Sequence, residues 1–429
     1  MKRYETYKPS GIEWLGEIPE HWEVKRIKNI CDYISRGITP TYVEESSFKA
    51  INQGTFSKGF FDYENAKFTT NSDKRALAKK DDILLASTGG GVLGKTFYIE
   101  DINGYFFADS HVTTLRVNKK QLISKYLYYF FSINYDLING VLAKGSTNQT
   151  ELQRDQLMNF HWCTPTITEQ TAIINFLDIK TTAIDRKIEL LTAKADNYKS
   201  LRRSLINETV CRGLNPNVSL KNSGVEWIGM IPEHWEVKRV KDVFKYTTGN
   251  TPESKNESYY EGDNTWICIG DISEDKYISD SKMKISDKAI SDLNMIKTPK
   301  GSLLYSFKLS IGKMAFVKQD VYTNEAILSI FPNKRISLHF IYYMLPYFLE
   351  LAATENIYGA KMLNQKLIAN AFLVIPRLDE QIQIASYLDT KTNQIDTILS
   401  NIGEQITKLT QLRKTLINDV VTGQLKVTD

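Results

Sequence analysis

Apolar side chains recur at alternating intervals of four and three residues in two long stretches of the chain. The first series is Ile184, Ile188, Leu191, Ala195, Tyr198, Arg202 and Leu205, and the second is Ile395, Leu399, Ile402, Ile406, Leu409, Arg413 and Leu416. This spacing is the a/d pattern of a coiled coil. Because the two series coincide at an offset of 211 residues, including the arginine that interrupts each, we predict two equivalent long helices, residues 181–211 and 392–422, packed together.

A block of alternating apolar and polar residues is also repeated. Residues 10–28 read SGIEWLGEIPEHWEVKRIK and residues 223–241 read SGVEWIGMIPEHWEVKRVK, so that 15 of 19 positions are identical. An offset of 213 residues is too long for a solenoid repeat. Residues 23–27 alternate like a strand that enters a domain. Each block therefore opens a whole domain, and the two domains share one design.

The stretch after each block, to about Phe160 and to about Phe372, differs between the two halves. A few landmarks persist, namely GITP at 37–40 against GNTP at 249–252, and the Gly-Lys pairs at 94–95 and 312–313. Periodicity predicts a helix at 123–142 in the first half and at 338–353 in the second. We expect one scaffold that carries two different binding surfaces.

A polar loop follows each of these predicted helices. Residues 144–149 read KGSTNQ and residues 358–365 read YGAKMLNQ. Asn and Gln amides can pair bidentately with adenine, and Lys and Gly suit phosphate contacts, so the loops are candidate DNA-binding elements. The competing interpretation is a solvated surface loop, which is the commoner one for a single loop of this kind.

Composition narrows the class of protein. Hydrophobic residues make up 42% and charged residues 24% of the 429 positions, as in ordinary globular proteins, and no apolar run is long enough for a membrane span. The four cysteines form no Cys-x-x-Cys pair, so we expect reduced structural thiols and no metal site. A soluble cytoplasmic protein is expected. The net charge of +4 is weak evidence for DNA, which must be bound through local patches.

One motif suggests nucleotide binding. Residues 89–96, GGGVLGKT, match the phosphate-loop pattern, but a working loop needs a helix that begins at the lysine. Here residues 97–107 continue as strand, turn and strand, and the second half keeps only the Gly-Lys pair. We therefore favour a different role, as donors to DNA phosphates or bases, for Ser87, Thr88, Lys95, Ser306, Lys308 and Lys313.

Other catalytic motifs are absent from the sequence, including H-E-x-x-H and G-x-S-x-G. His21 and His234 occupy the same place in the repeated block, but no Cys, Ser or acid recurs with them in a triad-like arrangement. We expect packing or contact with a partner protein in this block. The candidates for partner contact are Trp14, His21, Trp22, Trp227, His234 and Trp235.

With these motifs the chain resembles the specificity subunits of type I restriction-modification systems over nearly its whole length. The resemblance rests on the duplicated block, on Glu-Gln-x-x-Ile-x-x-x-Leu-Asp at 169–178 and 380–389, and on Leu-Ile-Asn at 205–207 and 416–418. The Val-Thr-Gly that often follows is present at 421–423, whereas the first copy has Cys-Arg-Gly at 211–213.

The resemblance implies a mixed α/β (α+β) fold. Two globular target-recognition domains would be separated by an antiparallel pair of long coiled-coil helices with pseudo-twofold symmetry. We expect the first recognition domain at 1–160, a central conserved region with a long helix at 161–212, the second recognition domain at 213–372 and a C-terminal conserved region with a long helix at 373–429.

The resemblance also implies that the chain is not catalytic. It would direct two methyltransferase subunits, and through them the restriction (translocase) subunits, to a split asymmetric site in double-stranded DNA. S-adenosylmethionine, ATP and Mg²⁺ are expected on those partners and not on this chain. From residue type, the candidate DNA contacts are Thr39, Gln53, Ser87, Thr88, Lys95, Lys144, Ser146, Asn148, Gln149, Thr251, Asp271, Ser306, Lys308, Lys313, Lys361, Asn364 and Gln365.

Two other functions remain open at this point. The first is a P-loop NTPase that uses residues 89–96, and the second is a coiled-coil scaffold or inhibitor of the methyltransferase that does not bind DNA. A predicted helix of 31 residues would be roughly 46 Å long and would span on the order of 13 base pairs, so the helices are candidate spacers between half-sites.

Overall fold

The computed structural model of the protein describes residues 2–70, 73–89, 91–144, 150–273, 275–308, 310–355 and 361–427. The chain divides into two compact units, Met1–Thr192 with Gly403–Asp429, and Ala193–Ile402. Each unit combines one variable domain with part of each long helix. Both units contain sheets and helices, which confirms the predicted mixed class.

The first unit begins with short strands and ends in a long helix. Its strands are β1 (Tyr7–Pro9), β2 (Glu17–Pro19), β3 (Glu23–Arg26), β4 (Cys31–Arg36), β5 (Phe48–Ile51), β6 (Lys67–Phe68), β7 (Ile83–Ala86), β8 (Thr96–Tyr98), β9 (Tyr105–Ala108), β10 (Val112–Val117), β11 (Ala143–Lys144), β12 (Glu151–Leu152) and β13 (His161–Thr164). Its helices are α1 (Ile27–Ile30), α2 (Ser124–Ile133), α3 (Tyr135–Leu137), α4 (Arg154–Asn159) and the first part of α5 (Ile167–Arg212).

Strand β7 divides the first unit into two cores. It lies inside the sheet β4-β10-β7-β8, and all four of its residues are buried. Because side chains alternate across a strand, Ile83 and Leu85 pack with α2 in one core, while Leu84 and Ala86 pack towards the sheet β6-β5-β9 in the other. A strand buried on both faces explains the continuous apolar run in the sequence.

The second unit repeats this plan with small changes. Its strands are β14 (Leu220–Asn222), β15 (Met230–Pro232), β16 (Glu236–Arg239), β17 (Tyr246–Thr248), β18 (Asn264–Ile267), β19 (Tyr277–Ile278), β20 (Lys284–Ile285), β21 (Leu303–Ser306), β22 (Met314–Val317), β23 (Tyr322–Thr323), β24 (Ile327–Ile330), β25 (Thr354–Glu355), β26 (Lys361–Met362) and β27 (Phe372–Ile375). Its helices are α6 (Val240–Val243), α7 (Asp287–Asp292), α8 (Leu338–Ala352), α9 (Gln365–Asn370) and the first part of α10 (Leu378–Val421). The larger sheet has the order β17-β24-β21-β22-β19, and the smaller one β20-β18-β23.

Matching backbone hydrogen bonds show which residues of the two units are equivalent. The Ser87 N–H donates to the His111 carbonyl at 2.8 Å in the first unit, and the Phe307 N–H donates to the Ala326 carbonyl at 3.1 Å in the second. Likewise Asp109 N–H donates to Ile51, and Asn324 N–H donates to Ile267. These bonds make Ser87 equivalent to Phe307, His111 to Ala326 and Asp109 to Asn324, although the sequences in between have diverged.

The long helices are longer than predicted. Helix α5 has 46 residues and α10 has 44, which makes α5 roughly 69 Å long. Each begins 14 residues before the predicted start, at Ile167 and Leu378. The first turns place Ile173 and Leu177 in the core of the first unit, and Ile384 and Leu388 in the core of the second. The heptad pattern begins only where each helix leaves its core, which explains why the predicted helix starts were too late.

The predicted heptad series is visible in the burial of the helices. Every position of both series is buried or half-buried. The arginine that interrupts each series forms an ion pair with an aspartate of the other long helix, Arg413 with Asp185 in the first unit (2.8 Å) and Arg202 with Asp396 in the second (3.2 Å). Within each unit, the C-terminal part of one long helix thus packs beside the N-terminal part of the other.

The last turns of each long helix complete a core. Leu416, Ile417 and Val420 of α10 belong to the buried core of the first unit, and Val210 of α5 belongs to that of the second. The predicted helix at 123–142 is interrupted, because α2 ends at Ile133 and a π-helical turn covers Ile138–Leu142. In the described ranges of the chain, no helix is long and apolar enough to cross a membrane.

Candidate nucleic-acid interface

Several predicted segments meet at one edge of the first unit, beside the C-terminal end of β7. Gln53 Nε2 donates to the carbonyl and hydroxyl oxygens of Thr88, each at 2.8 Å, and lies 3.2 Å from the His111 carbonyl oxygen. The Thr88 hydroxyl lies 2.7 Å from His111 Nδ1. The side chain of Arg36 reaches Glu151 on the far side of the polar loop, at 3.3 Å. Gln53 and Thr88 therefore lie on the same polar edge, and the exposed Thr39 follows three residues after Arg36.

The GITP and GNTP landmarks have a steric cause. A Cβ on Gly37 would lie 1.9 Å from the carbonyl oxygen of Ala108, and one on Gly249 would lie 1.7 Å from that of Thr323. Only glycine fits so close to a neighbouring backbone. The exposed Thr39 and Thr251 follow two residues later, so the glycine fixes the turn and the threonine faces solvent at the edge.

The second unit has a polar edge at the equivalent place. The exposed Thr251 donates a hydrogen bond to Glu325, and Gln365 Nε2 donates to Thr248 at 2.8 Å. Lys308 is exposed and its ammonium lies over the Phe307 ring. The hydrogen bond from Thr251, with help from the Lys308 charge, lowers the pKa of Glu325. An ionised carboxylate and an ammonium are thus presented together.

The two polar loops border these edges. Leu152 N–H donates to the Ser87 carbonyl at 2.9 Å, so the first loop returns to the chain beside Thr88. Ser146, Asn148 and Gln149 lie outside the described residues, and the structure describes only the backbone of Lys144. In the second loop Lys361 pairs with Glu350 at 2.7 Å, and the Asn364 side chain caps α9 by accepting the Leu367 N–H at 2.9 Å.

Two predicted DNA contacts are wrong, because their side chains are buried. Ser87 and Ser306 are both 0% exposed. The Ser87 hydroxyl lies 2.5 Å from that of Thr113, and the Ser306 hydroxyl accepts the Lys313 N–H at 2.9 Å. Both serines hold strand ends in place and cannot touch DNA.

The Gly-Lys turns and Asp271 also have internal roles. Lys95 Nζ donates to the Ser57 carbonyl and Lys313 Nζ to the Ile272 carbonyl, each at 3.0 Å. In each unit the lysine thus anchors the loop that follows the first strand of the smaller sheet. Strands β8 and β22 follow the two turns, which confirms strand, turn, strand in place of a P-loop helix. Asp271 accepts the Cys268 N–H at 2.8 Å and the Ser281 hydroxyl at 2.9 Å.

The repeated Pro-Glu-His-Trp block joins each domain to its long helix. His21 Nε2 lies 3.0 Å from Glu169 in α5, and His234 Nε2 lies 2.9 Å from Glu380 in α10. Trp22 and Trp235 are 0% exposed, so the prediction that they contact a partner is wrong. Trp14 and Trp227 retain exposed surface while they pack on aromatic rings, Trp14 on Trp162 and Trp227 on Phe348.

Sequence reasoning did not assign a role to the glutamine that follows each of these glutamates. Gln170 accepts the Ile123 N–H at 2.8 Å and donates to the Pro165 carbonyl at 2.9 Å. Gln381 makes the same two bonds, to Ser337 N–H and to the Pro376 carbonyl. Each glutamine fixes the N-terminus of α2 or α8 against the long helix. The repeated Glu-Gln pair was the available signal.

The cysteine thiols of the described residues are held in their protonated form by burial. Burial raises the pKa of the Cys31 and Cys163 thiols to about 12, and that of Cys211 and Cys268 to about 11. Such thiols stay protonated and unreactive. The described part of the chain also contains no group of three or more His, Cys, Asp or Glu side chains that could bind a metal ion.

Comparison with known proteins agrees with this architecture. The family model for the type I restriction modification DNA specificity domain matches residues 19–196 and again residues 232–408. The chain is 24% identical to the putative type I restriction enzyme MjaX specificity subunit of Methanocaldococcus jannaschii, over 96% of each chain. It is 22% identical to the MjaVIII specificity subunit of the same organism, over 96% of this chain and 94% of the relative.

Two solved structures share the fold. The first comes from a structure that describes complex assembly and conformational transition of the type I R-M system. It aligns with a TM-score of 0.75 at 16% identity, over 95% of this chain and 99% of that one. The HsdS subunit of Thermoanaerobacter tengcongensis aligns with a TM-score of 0.54 at 16% identity, over 95% and 98% of the two chains. With two family matches that together cover most of its length, the chain belongs to the type I restriction-modification DNA specificity family and contains two copies of the family's domain.

Proposed function

We propose that this chain directs the methyltransferase and restriction subunits of a type I complex to a split asymmetric site in double-stranded DNA, and that each unit recognises one half-site. One observation carries the proposal: the two polar edges have the same backbone hydrogen bonds but different side chains. Contacts to DNA phosphates position a DNA-binding protein, whereas side chains that reach base edges determine its sequence preference. One framework with two surfaces therefore suits two half-sites of different sequence.

Not every predicted residue remains a candidate DNA contact. Those that support the proposal are exposed or half-exposed at the polar edges: Thr39, Gln53, Thr88, Thr251, Lys308, Lys361, Asn364 and Gln365. Lys95 would act indirectly, since it fixes the loop that carries Gln53, and Lys313 and Asp271 fix the equivalent loop of the second unit. Lys144, Ser146, Asn148 and Gln149 stay proposals from the sequence alone.

The partner surface would be the same in both units. His21 and His234 have exposed rings, Trp14 is exposed and Trp227 is half-exposed, and all four belong to a block that is nearly identical in the two copies. Two copies of one methyltransferase subunit require two such equivalent surfaces. S-adenosylmethionine, ATP and Mg²⁺ would be bound by the partner subunits, and this chain would contribute position and no catalytic group.

The test is to co-express the chain with its methyltransferase subunit and to map the modified bases in the host DNA. A single motif of two defined halves separated by undefined bases is expected. Exchanging residues 29–160 for the corresponding domain of another family member should change one half and leave the other intact. An absence of any split motif would favour the scaffold or inhibitor, and a change in both halves would contradict independent recognition.

The NTPase alternative has its own control. Lys95 Nζ is bound to the Ser57 carbonyl, so Lys95→Ala should alter DNA affinity or site choice. Nucleotide hydrolysis by the purified chain that disappears in this variant would overturn the proposal.

A further inference from the structure

Three side chains at the polar edge of the first unit form a hydrogen-bonded cluster, Gln53, Thr88 and His111, which we call the edge triad. Gln53 and Thr88 are among the DNA contacts predicted from the sequence, whereas His111 is not. The ring of His111 is exposed, while Gln53 and Thr88 are half-buried. The triad therefore lies at the surface, where a ligand can reach it.

The surroundings of Gln53 fix the orientation of its amide. The group at Nε2 faces two backbone carbonyl oxygens, those of Thr88 at 2.8 Å and His111 at 3.2 Å. A carbonyl oxygen can only accept, so the amide nitrogen and not the amide oxygen must face these atoms. No described residue donates a hydrogen bond to the Gln53 Oε1 atom. Gln53 therefore offers an acceptor to the outside.

The same reasoning assigns the tautomer of a neutral His111. The Thr88 hydroxyl accepts from Gln53 Nε2 at 2.8 Å and lies 2.7 Å from His111 Nδ1. Among the described residues, Nδ1 is the acceptor within reach of the single Thr88 hydroxyl hydrogen. We assign that hydrogen to a bond with Nδ1, which puts the ring hydrogen on Nε2. His111 offers a donor to the outside.

The second unit has none of these three side chains. The shared backbone bonds make Ala326 equivalent to His111, and they make Ile269 and Lys308 equivalent to Gln53 and Thr88. The backbone around these three positions has the same fold in both units, because the strand ends there make the same hydrogen bonds. The edge triad is thus a feature of one unit, as a determinant of one half-site would be.

We infer that, if the proposed function holds, Gln53 and His111 together recognise one adenine in the first half-site through its major-groove edge. Adenine presents an N–H donor at N6 beside an acceptor at N7. Gln53 Oε1 would accept from N6, and His111 Nε2 would donate to N7. Thr88 does not touch the base and is a positioning residue, since its hydroxyl orients both neighbours.

Other single bases fit this pair of groups less well. In the major groove guanine presents two acceptors, cytosine one donor and thymine one acceptor and a methyl group. Each would leave Gln53 Oε1 or His111 Nε2 without a partner. A G·C pair presents an acceptor and a donor only across its two bases, and it is the outcome that the experiment must separate from adenine.

The experiment replaces His111 by Ala in the full chain, co-expressed with the methyltransferase subunit, and maps modified bases as for the wild type. The preference for A·T at one position of the first half-site should fall by about tenfold or more, while the second half-site is unchanged. His161→Ala is the matched control, because His161 is also exposed but lies on β13 in a different sheet. It should leave the motif unchanged.

Two changes at Thr88 separate positioning from folding. Thr88→Val removes the hydroxyl and should relax the same base pair as His111→Ala, whereas Thr88→Ser keeps it and should restore the preference. Relaxation at a G·C pair, at no position, or in the second half-site would overturn the inference while a split wild-type motif still supports the proposed function. The absence of a split motif in the wild type would instead overturn both.

Discussion

Single residues determine where the two recognition units can vary. Gly37 and Gly249 cannot change, since a Cβ on either would lie within 2 Å of a backbone carbonyl oxygen. Two residues later Thr39 and Thr251 are exposed and free of this restriction. The boundary between framework and recognition surface therefore falls between neighbouring residues of one turn.

Gly249→Ala should destabilise the second unit. The added methyl group would meet backbone, which cannot rotate away as a side chain can, so we expect a loss of about 1–3 kcal/mol in the free energy of unfolding. Urea denaturation measures this. Gly270→Ala is the control, because a Cβ there meets no atom within 4 Å, and it should change stability by no more than about 0.5 kcal/mol. Equal losses in the two variants would show that the close approach at Gly249 is absent.

Asp109→Asn should stabilise the first unit above the acidic range. Burial raises the pKa of Asp109, so the folded state holds a proton that the unfolded state releases. Stability therefore falls as pH rises from the unfolded pKa through the raised folded pKa. Asparagine can still accept the backbone N–H of His111, which donates to Asp109 at 2.8 Å. The equivalent Asn324 accepts the backbone N–H of Ala326.

The measurement for Asp109→Asn is the urea midpoint at several pH values from about 4, near the ordinary carboxyl pKa, to neutral. The gain should grow as pH rises. Asp101→Asn, a change at an exposed carboxyl, should show no such trend. A loss of stability at neutral pH in Asp109→Asn would contradict the argument from burial.

At the residue scale the sequence showed the chemistry of the side chains but not their burial. Ser87 and Ser306 have the right chemistry for DNA, but each lies at the end of a strand that is buried on both faces. One sequence cannot show which end of an apolar run faces inward. His111 was missed because it carries no motif, and only folding brings it beside Thr88.

At the scale of elements, the periodic patterns were the most reliable guide. The heptad series predicted both long helices and their burial, because a 3.5-residue repeat that continues over seven positions is typical of helices packed side by side. Their first four turns were missed. There the apolar residues face a globular core and not a partner helix, and the spacing changes accordingly. The predicted helix at 123–142 is broken after Ile133, where α2 ends.

The cross-helix ion pairs should contribute little to stability. Arg202 and Asp396 are 36% and 50% exposed and lie 3.2 Å apart, but the Arg202 Nε–H makes no hydrogen bond. A double-mutant cycle with Arg202→Met and Asp396→Asn should give a coupling below about 1 kcal/mol, as for other exposed pairs. Denaturant unfolding of the four chains measures it. A coupling of about 3 kcal/mol or more would indicate a desolvated pair.

At the scale of the whole molecule, each unit takes helix segments from both halves of the sequence. Duplication was evident from the repeated block and the resemblance implied an antiparallel helix pair, but the sequence did not show which residues of each helix end fill the core of the other half. The buried Ile417 and Val420 in the first unit, and Val210 in the second, are the residues that establish it.

The helices should set the spacing of the two half-sites. Inserting seven residues after Tyr198 and seven after Leu399, on facing turns, keeps the heptad phase and lengthens the pair by roughly 10 Å. The undefined spacer in the modified motif should then grow by about three base pairs. Insertions of seven residues in the exposed segment after Pro216 are the control and should leave the spacer as it is. If the spacer is unchanged in the variant with both insertions, the long helices do not set the distance between the half-sites.

The division of the chain into units also has a consequence for its synthesis on the ribosome. The second unit, Ala193–Ile402, is one continuous segment, whereas the first needs Gly403–Asp429 to complete its core. A domain made first usually folds first. Here the order is reversed, since the site for Leu416 and Ile417 in the core of the N-terminal domain stays unfilled until α10 has been synthesised. Termination of translation after Ile402 would thus leave the second unit whole and the first unit without part of its core.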